Sequence, residues 1–496
     1  MNSSLPLNQQ NLSRLPGEIT RPGYDRSRLT TGIVHVGVGG FHRSHEAFYI
    51  DELLQSGDAS EWGICGVGLR EADRRMATIL QEQDYLYTLI VKHPDGHRET
   101  RVIGSIIDFL MGCDDPTAVI DRMAAEETRI VSLTITEGGY NVDPDTGEFD
   151  RSNPDVQYDV TNPTTPRLVF GYLTAALRKR REAGLTAFTV QSCDNIQHNG
   201  NLTRRMLLGF ARMQDPELAD WIESEVHFPN AMVDRITPVT TDADIEYLKS
   251  EHHLIDRWPV ACEPFCQWVI EDQFSAGRPA LENVGVQFVP DVTPYETMKL
   301  RLLNAGHSVL GIPGAVYGYQ TIDECMRDDL FATFLRQFFD NEATPVLDAV
   351  AGIDLDEYKQ TLVERFGNPS ISDNLSRICL GSSSKLPVFL LPTVHENLQR
   401  GGPIEHSAFV LAAWCYYSDH HADRHGKALE INDDQEAALQ EAARKTVDDP
   451  LAFLRLKSVF GDLVENERFA NSYERLVSEI YRNPDVTVSM RAINQT

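Results

Sequence analysis

Ile33-Val34-His35-Val36-Gly37-Val38-Gly39-Gly40 is a short apolar run that ends in glycines, and a helical pattern from Arg43 to Gln55 follows it. A strand, a glycine turn and a helix N-terminus in this order are typical of a dinucleotide-binding fold, because the glycines let the backbone approach a pyrophosphate. His42 stands where the third glycine of the usual pattern is expected. A plain strand-to-helix turn therefore remains the alternative interpretation.

Strand-like and helix-like segments alternate over the rest of the first 290 residues. Strand patterns at Trp62–Val67, Arg129–Thr136 and Ala187–Gln191 are separated by helical patterns such as Arg167–Ala183. This alternation predicts a parallel sheet covered by helices on both faces. The stretch 144–166 is rich in Asp, Asn and Pro and indicates a long surface excursion.

Helical periodicity dominates from about residue 291. Helices are predicted over Thr293–Leu310, Leu330–Phe339, Asp354–Phe366 and Asp434–Thr446. The sequence thus predicts an α/β protein with two domains: a Rossmann-type dinucleotide-binding domain over 1–290 and a mostly α-helical substrate-binding and catalytic domain over 291–496.

Composition excludes several classes of function. The 496 residues carry 45 Lys and Arg against 74 Asp and Glu, a formal net charge of −29. Such a surface repels nucleic-acid phosphates and anionic lipid, so neither is expected as a partner. The eight cysteines form no C-x-x-C pair and indicate reduced thiols in the protein core. No signal-like or membrane-spanning run is evident, so we expect a cytoplasmic protein.

Asp73 follows the second predicted strand. A carboxylate there can accept from the ribose hydroxyls of an adenosine and repel a 2′-phosphate, which favours NAD. Arg70, Arg74 and Arg75 lie beside it and could instead hold a phosphate, which leaves NADP open.

The segment from Thr293 to His307 carries the strongest chemical pattern. Thr293, Pro294 and Glu296 predict a capped helix start, and the helix is expected to end near Gly311 and Pro313. At about 100° per residue, Glu296, Lys299, Asn304 and His307 fall within an arc of roughly 140°. A buried lysine there could act as a base, and a lysine at the helix edge that reaches solvent is the alternative.

Asn195 follows Asp194 just past a predicted strand. Ligands of open α/β sheets bind at the carboxyl ends of strands. An asparagine in that place can donate to an alkoxide or carbonyl oxygen. A turn-forming role is the alternative.

These residues together resemble the polyol-specific long-chain dehydrogenases. The resemblance covers nearly the whole chain, and the segments that carry it are Gly37–His45, Ser132–Tyr140, Ser192–Asn195, Phe228–Pro238, Glu263–Phe265 and Lys299 with Asn304 and His307. It implies metal-free hydride transfer between NAD and a polyol or ketose, with D-mannitol and D-fructose as first choice. It also implies a monomer.

The resemblance also implies roles for individual residues. Lys299 is the general base, Asn195 and Asn304 hold the developing alkoxide, His307 orients the substrate and Glu296 assists proton exit. The residues implied to contact substrate are Asp234, Arg377 and Lys385. The residues implied to hold the cofactor are Gly37, Val38, Gly39, Gly40, Phe41, His42, Arg43, Asp73 and Glu137.

Three alternatives stay open from the sequence. Related oxidoreductases could act on fructuronate, tagaturonate, arabinitol or sorbitol. A non-catalytic NAD-binding sensor could keep the fold, although Lys299, Asn195, Asn304 and His307 are all present. A structural partner protein would bind no cofactor at all.

Overall fold

The computed structural model describes residues 4–57, 59–143 and 146–495. The chain divides into two compact units. The first comprises Met1–His93 and His97–Thr293, and the second comprises Pro94–Gly96 and Pro294–Thr496. Among the described residues, no helix combines the length and the apolar character that crossing a membrane requires.

All the strands named here lie in the first unit. They are β1 (Leu5–Pro6), β2 (Thr31–Val36), β3 (Gly63–Gly68), β4 (Tyr87–Lys92), β5 (Arg98–Ile103), β6 (Ile106–Met111), β7 (Ile130–Leu133), β8 (Thr189–Ser192), β9 (Ala231–Asp234), β10 (Leu254–Ile255), β11 (Val260–Cys262), β12 (Gln267–Glu271) and β13 (Gln287–Val289).

A five-stranded parallel sheet forms the centre of this unit. Its strand order is β6-β3-β2-β7-β8. Strands β3 and β6 are added on one side of β2, and β7 and β8 are added on the other side, so the strand order reverses between β2 and β7. This is the doubly wound order of dinucleotide-binding folds, whose ligands bind at the reversal point. The predicted fold class and its parallel sheet are confirmed. Smaller sheets, β11-β4-β5 and β13-β12-β9, mix parallel and antiparallel pairs.

Ten α-helices accompany these strands within the described part of the unit. They are α1 (Gly40–Ser44), α2 (Glu46–Ser56), α3 (Arg74–Glu82), α4 (Pro116–Ala124), α5 (Thr136–Gly139), α6 (Pro154–Thr161), α7 (Val169–Glu182), α8 (Asn199–Gln214), α9 (Pro216–Glu225) and α10 (Asp242–His252).

Two helical features of this unit differ from the expectation. The single helix predicted over Arg43–Gln55 is two helices, because the backbone of His45 leaves the helical region with φ −118° and ψ −89°. The stretch 144–166 contains α6, which Asn153 caps by accepting from the backbone N–H of Asp155. Pro144 and Asp145 lie outside the described residues.

The second unit is helical, as predicted. Its helices are α11 (Thr293–Lys299), α12 (Ala305–Tyr317), α13 (Ile322–Arg327), α14 (Asp329–Gln337), α15 (Leu355–Phe366), α16 (Leu375–Cys379), α17 (Ser382–Phe389), α18 (Leu391–Arg400), α19 (Glu405–His420), α20 (Glu436–Arg444), α21 (Lys457–Phe460), α22 (Glu467–Arg482) and α23 (Val486–Ile493), with π-helical turns at Leu300–Asn304 and Phe338–Ala343.

The predicted end of the lysine-bearing helix near Pro313 is wrong. Helix α12 continues through Pro313 to Tyr317 and ends at Gly318, whose φ of +112° suits glycine. A proline inside a helix removes one hydrogen bond. Here residues Ser308 to Val316 are all buried, and α12 packs against α19. Burial of this apolar helix offsets the lost bond.

The cysteines are all free, as predicted. Six are buried, Cys266 is half-buried and Cys113 is exposed. Burial raises the pKa of the Cys415 thiol to about 11, so this sulfur stays protonated at neutral pH.

A buried polar cluster lies directly beneath the glycine turn. The carboxylate of Glu46 on α2 lies 2.9 Å from Nδ1 of His35 and 3.1 Å from Nδ1 of His42, and it accepts from the Ser132 hydroxyl at 3.0 Å. Burial opposes the charge of Glu46, but the two imidazoles outweigh it and hold the pKa of this carboxyl well below its ordinary value. The cluster thus ties β2, β7 and both helices after the turn together.

We expect His42→Asn to weaken the dependence of stability on pH. Burial, and then the neighbouring His35, lower the pKa of His42 to about 3. Between this value and the unfolded value of about 6.5, the unfolded chain binds a proton that the folded chain does not. The free energy of unfolding therefore falls as the pH falls, by up to about 1.4 kcal/mol per pH unit from this group.

Urea unfolding of the wild type and His42→Asn at several pH values between about 6.5 and 4.5 measures this slope. His253→Asn is the matched control, because the His253 side chain is exposed and asparagine tolerates its left-handed backbone. Equal slopes for His42→Asn and the wild type would contradict the interpretation.

Candidate functional site

The glycine turn after β2 has the geometry of a phosphate-binding turn. Gly37 has φ +95°, and a Cβ there would lie 2.1 Å from the carbonyl oxygen of Thr134, so only glycine fits. At Gly39 the nearest heavy atom to such a Cβ is 3.8 Å away, so the exposed turn leaves room for a ligand. The Thr134 hydroxyl donates to the Gly37 carbonyl at 2.7 Å and fixes the turn from below.

The side chains that follow the turn point into the protein. His42 and Arg43 are 1% and 4% exposed. Arg43 donates to the carbonyl of Trp258 at 2.5 Å and lies over the ring of Tyr87. A ligand at this turn would therefore meet backbone groups rather than the side chains of these two predicted cofactor residues. Val38 is also buried, whereas Gly40 and Phe41 are partly exposed.

Asp73 is fixed at the carboxyl end of β3. A Cβ on Gly68, the last residue of that strand, would lie 2.8 Å from Cβ of Asp73, and the Asp73 carboxylate accepts from the backbone N–H of Arg70 at 3.1 Å. Asp73 thus lies where the second strand of a dinucleotide-binding fold presents its acid.

The arginines beside Asp73 are largely engaged elsewhere. Arg74 is held by Glu71 and Asp114, with N–O distances of 2.5 to 2.8 Å. Arg75 lies over the ring of Trp258 at 5.2 Å. Two of the three cations that could receive a 2′-phosphate already have partners, which supports the preference for NAD inferred from Asp73.

Two predicted residues lie at the carboxyl ends of β7 and β8. Glu137 is exposed on α5, after β7, and Asn195 is exposed after β8. Asp194, beside Asn195, accepts from the backbone N–H groups of Ile135 and Thr136 at 3.0 and 2.9 Å. One carboxylate therefore connects the segments that carry Glu137 and Asn195.

Asp234, predicted to contact substrate, is the last residue of β9 and is 4% exposed. Its neighbour Arg235 donates to the carbonyls of Ser44 and Glu263, which joins the end of β9 to α1 and β11.

Lys299 and Glu296 are buried on α11, 6% and 4% exposed. Residues three apart on a helix face each other, so these two side chains share one side of α11. The start of α11 differs from the expectation, since Asp291 accepts from the backbone N–H of Thr293 at 2.9 Å. Burial of Lys299 disagrees with the alternative of a lysine at the helix edge that reaches solvent.

A π-helical turn separates Lys299 from α12. The backbone N–H of Ala305 donates to the carbonyl of Leu300, five residues earlier. Residues five apart in an α-helix lie about 140° apart around the axis, whereas a π turn bonds residues five apart and brings them towards one side. The π turn therefore makes the angle around the helix axis between Lys299 and Asn304 smaller than an α-helix would give.

Asn304 and His307 are half-buried beside this turn. Among the described residues, Oδ1 of Asn304 has no hydrogen-bond partner although it is buried. The ring of His307 lies 4.3 Å from that of Phe366 between centroids. This ring contact holds His307 against α15 within the helical unit.

Arg377 and Lys385 each have a partner within the helical unit. Arg377 forms an ion pair with Asp373, and its Nε donates to that carboxylate at 2.7 Å. The Lys385 ammonium donates to the carbonyl of Ile378 at 3.2 Å. The charge of Arg377 is already balanced, which disfavours a carboxylate-bearing substrate at this place.

His35, His42 and Glu46 also form a possible metal-ligand set, since their ligand atoms lie within 4.8 Å of one another. The Glu46 carboxylate lies 2.9 Å from Nδ1 of His35 and 3.1 Å from Nδ1 of His42, and both are hydrogen-bond distances. Neither Glu46 nor the contacts of Asp194 could be predicted from a recognised sequence motif. The only available clues were an acid four residues after His42 and an acid immediately after a strand.

Comparison with known proteins agrees with both units. The family model described as the mannitol dehydrogenase Rossmann domain matches residues 31–283, and the mannitol dehydrogenase C-terminal domain matches residues 291–481.

Full-length relatives and solved structures are similar over the whole chain. A mannitol 2-dehydrogenase of Aspergillus fumigatus is 46% identical over 99% of both chains. The structure of Pseudomonas fluorescens mannitol 2-dehydrogenase in ternary complex with NAD and D-mannitol matches with a TM-score of 0.88 and 46% identity, covering 99% of this chain and 100% of that one. A D-sorbitol dehydrogenase in substrate-free form matches with a TM-score of 0.91 and 38% identity, covering 98% and 100%. The chain belongs to the mannitol dehydrogenase family.

Proposed function

We propose that this protein oxidises D-mannitol to D-fructose with NAD⁺, and catalyses the reverse reduction, by hydride transfer at C2. The observation that carries the proposal is the similarity along the full chain to an enzyme whose solved complex contains NAD and D-mannitol. The confirmed family and the doubly wound sheet support the same reaction class.

NAD, when bound, accepts the hydride. The backbone of Gly37, Gly39 and Gly40 would hold the pyrophosphate, because the turn is exposed at Gly39 and an added Cβ there would have no heavy atom closer than 3.8 Å. Asp73 would accept from the adenosine ribose hydroxyls. Glu137 would lie beside the nicotinamide.

Lys299 is the proposed general base. It takes the proton of the C2 hydroxyl as the C2 hydrogen leaves as hydride, so that the C–O bond becomes a carbonyl. Burial disfavours the charged form of an amine and therefore favours the neutral form that can accept a proton. Glu296, one turn earlier and also buried, would take the proton from Lys299 and pass it to solvent.

Asn195 and Asn304 would stabilise the negative charge that develops on the C2 oxygen by donating their side-chain N–H groups. Such donors act most strongly where water is excluded. His307 would orient a neighbouring hydroxyl, with Asp234, Arg377 and Lys385 as further substrate contacts.

A second polyol is supported by the similarity to a D-sorbitol dehydrogenase. The stereochemistry accepted at C2 depends on the shape of the substrate site rather than on Lys299. Sorbitol and arabinitol therefore belong in the substrate panel beside mannitol. Uronates are disfavoured by the pairing of Arg377 with Asp373.

Lys299→Ala should lower kcat/KM for mannitol oxidation by about 10²- to 10⁴-fold, the usual contribution of a general base. NADH formation measured at 340 nm tests this. Added methylamine should restore part of the rate, because a small amine can replace the missing base.

Lys359→Ala is the matched control, since Lys359 belongs to the same unit and pairs with Asp340 and Asp356. It should retain kcat within about twofold. A Lys299→Ala enzyme as active as Lys359→Ala would exclude Lys299 as the base. A wild type that binds NADH but converts no polyol or ketose would favour the sensor instead.

Asp73→Ala should reduce the preference for NAD⁺ over NADP⁺, expressed as a ratio of kcat/KM values, by about tenfold, which corresponds to about 1.4 kcal/mol. The variant loses both the acceptor for the ribose hydroxyls and the charge that repels a 2′-phosphate. Kinetics with both cofactors at saturating mannitol measure the ratio. Glu82→Ala removes another exposed acid of this unit, paired with Arg257, and should leave the ratio unchanged.

A further inference from the structure

A strained residue lies between β7 and the proposed cofactor contact Glu137. Thr136 has φ +58°, in the left-handed region that β-branched residues avoid. It is also the first residue of α5. Some interaction must hold the segment in this conformation, because a threonine without such support would adopt a negative φ.

The carboxylate of Asp194 supplies that interaction. Its Oδ2 accepts from the backbone N–H of Ile135 at 3.0 Å, and its Oδ1 accepts from that of Thr136 at 2.9 Å. The Tyr140 hydroxyl donates to Oδ2 at 2.7 Å. Asp194 is 7% exposed, so these bonds are largely shielded from water. Together they fix both ends of the segment 135–140.

The same residue is anchored on its own side. The Asn199 amide donates to the Asp194 carbonyl at 3.0 Å, and the backbone N–H of Cys193 donates to the carbonyl of Leu133 at 2.8 Å. Asp194 thus links the segment after β7 to the segment after β8. Asn195 is its immediate neighbour on the second of these.

We propose that Asp194 is a positioning residue that holds Thr136 in its left-handed conformation and thereby sets the places of Glu137 and Asn195 relative to each other. This inference rests on the proposed function, which assigns Glu137 to the cofactor and Asn195 to the alkoxide. Asp194 itself touches neither substrate nor cofactor in this role. It acts through the backbone of its two neighbouring segments.

The test compares Asp194→Ala with a double variant that also carries Thr136→Gly. Glycine adopts the left-handed conformation without steric cost, so the conformation of the segment should stay more populated without the carboxylate than it does with threonine. We expect Asp194→Ala to lower kcat by about 10- to 100-fold. The logarithm of kcat for the double variant should lie at least about halfway from the value for Asp194→Ala to the value for the wild type. Asp194→Asn keeps the volume and one acceptor oxygen, and it should show an intermediate loss.

Asp159→Ala is the matched control. Asp159 is a fully buried carboxylate of the same unit that accepts from the backbone N–H groups of Arg167 and Leu168, both at 2.8 Å. Its loss should lower the melting temperature but leave kcat within about twofold. Thr136→Gly alone should also stay within about threefold of the wild type.

Amide hydrogen exchange supplies a readout that does not depend on turnover. Ile135 and Thr136 should lose protection in Asp194→Ala and keep it in Asp159→Ala. Unchanged protection in Asp194→Ala would overturn the inference, as would a double variant no more active than the single one. A wild type without polyol turnover would overturn the proposed function, and exchange would still decide whether Asp194 holds the segment.

Discussion

The parallel arrangement of five strands is the constraint on which the first unit depends. Because all five strands run in one direction, their carboxyl ends meet at one edge of the sheet. Gly37, Asp73, Glu137 and Asn195 come from four different strand ends and all follow a carboxyl terminus. Pairing of the strands therefore gathers residues that are far apart in sequence at this edge of the sheet.

Buried carboxylates then fix the segments that leave this edge. Glu46 joins the glycine turn to β7 through His35, His42 and Ser132, and Asp194 joins the segment after β7 to the segment after β8. Each carboxylate is shielded from water and satisfied by several donors, which is the condition under which a buried charge is tolerated. The hydrogen bonds of Glu46 and Asp194 therefore restrict the segments that they connect to one conformation.

In the second unit, the π turn between α11 and α12 positions the proposed catalytic side chains. An uninterrupted α-helix would place Lys299 and Asn304 well apart around its axis, and the π turn between them reduces that separation. The buried leucines of the turn, Leu300, Leu302 and Leu303, anchor it in the core. An amine and an amide, both proposed to act on one oxygen atom, are in this way placed on one side of the helix.

The strand–turn–helix alternation, the glycine turn, the acid after β3 and the helical second unit could all be predicted from the sequence, because local periodicity and backbone chemistry encode these features. Tertiary packing is needed to explain the break at His45, the π turn, the continuation of α12 through Pro313 and the hydrogen bonds that join Glu46 to Ser132 and Asp194 to Ile135. Each of these depends on burial against residues far away in the chain. Such packing can stabilise a backbone that local preference disfavours, and no pattern within a short window of sequence records it.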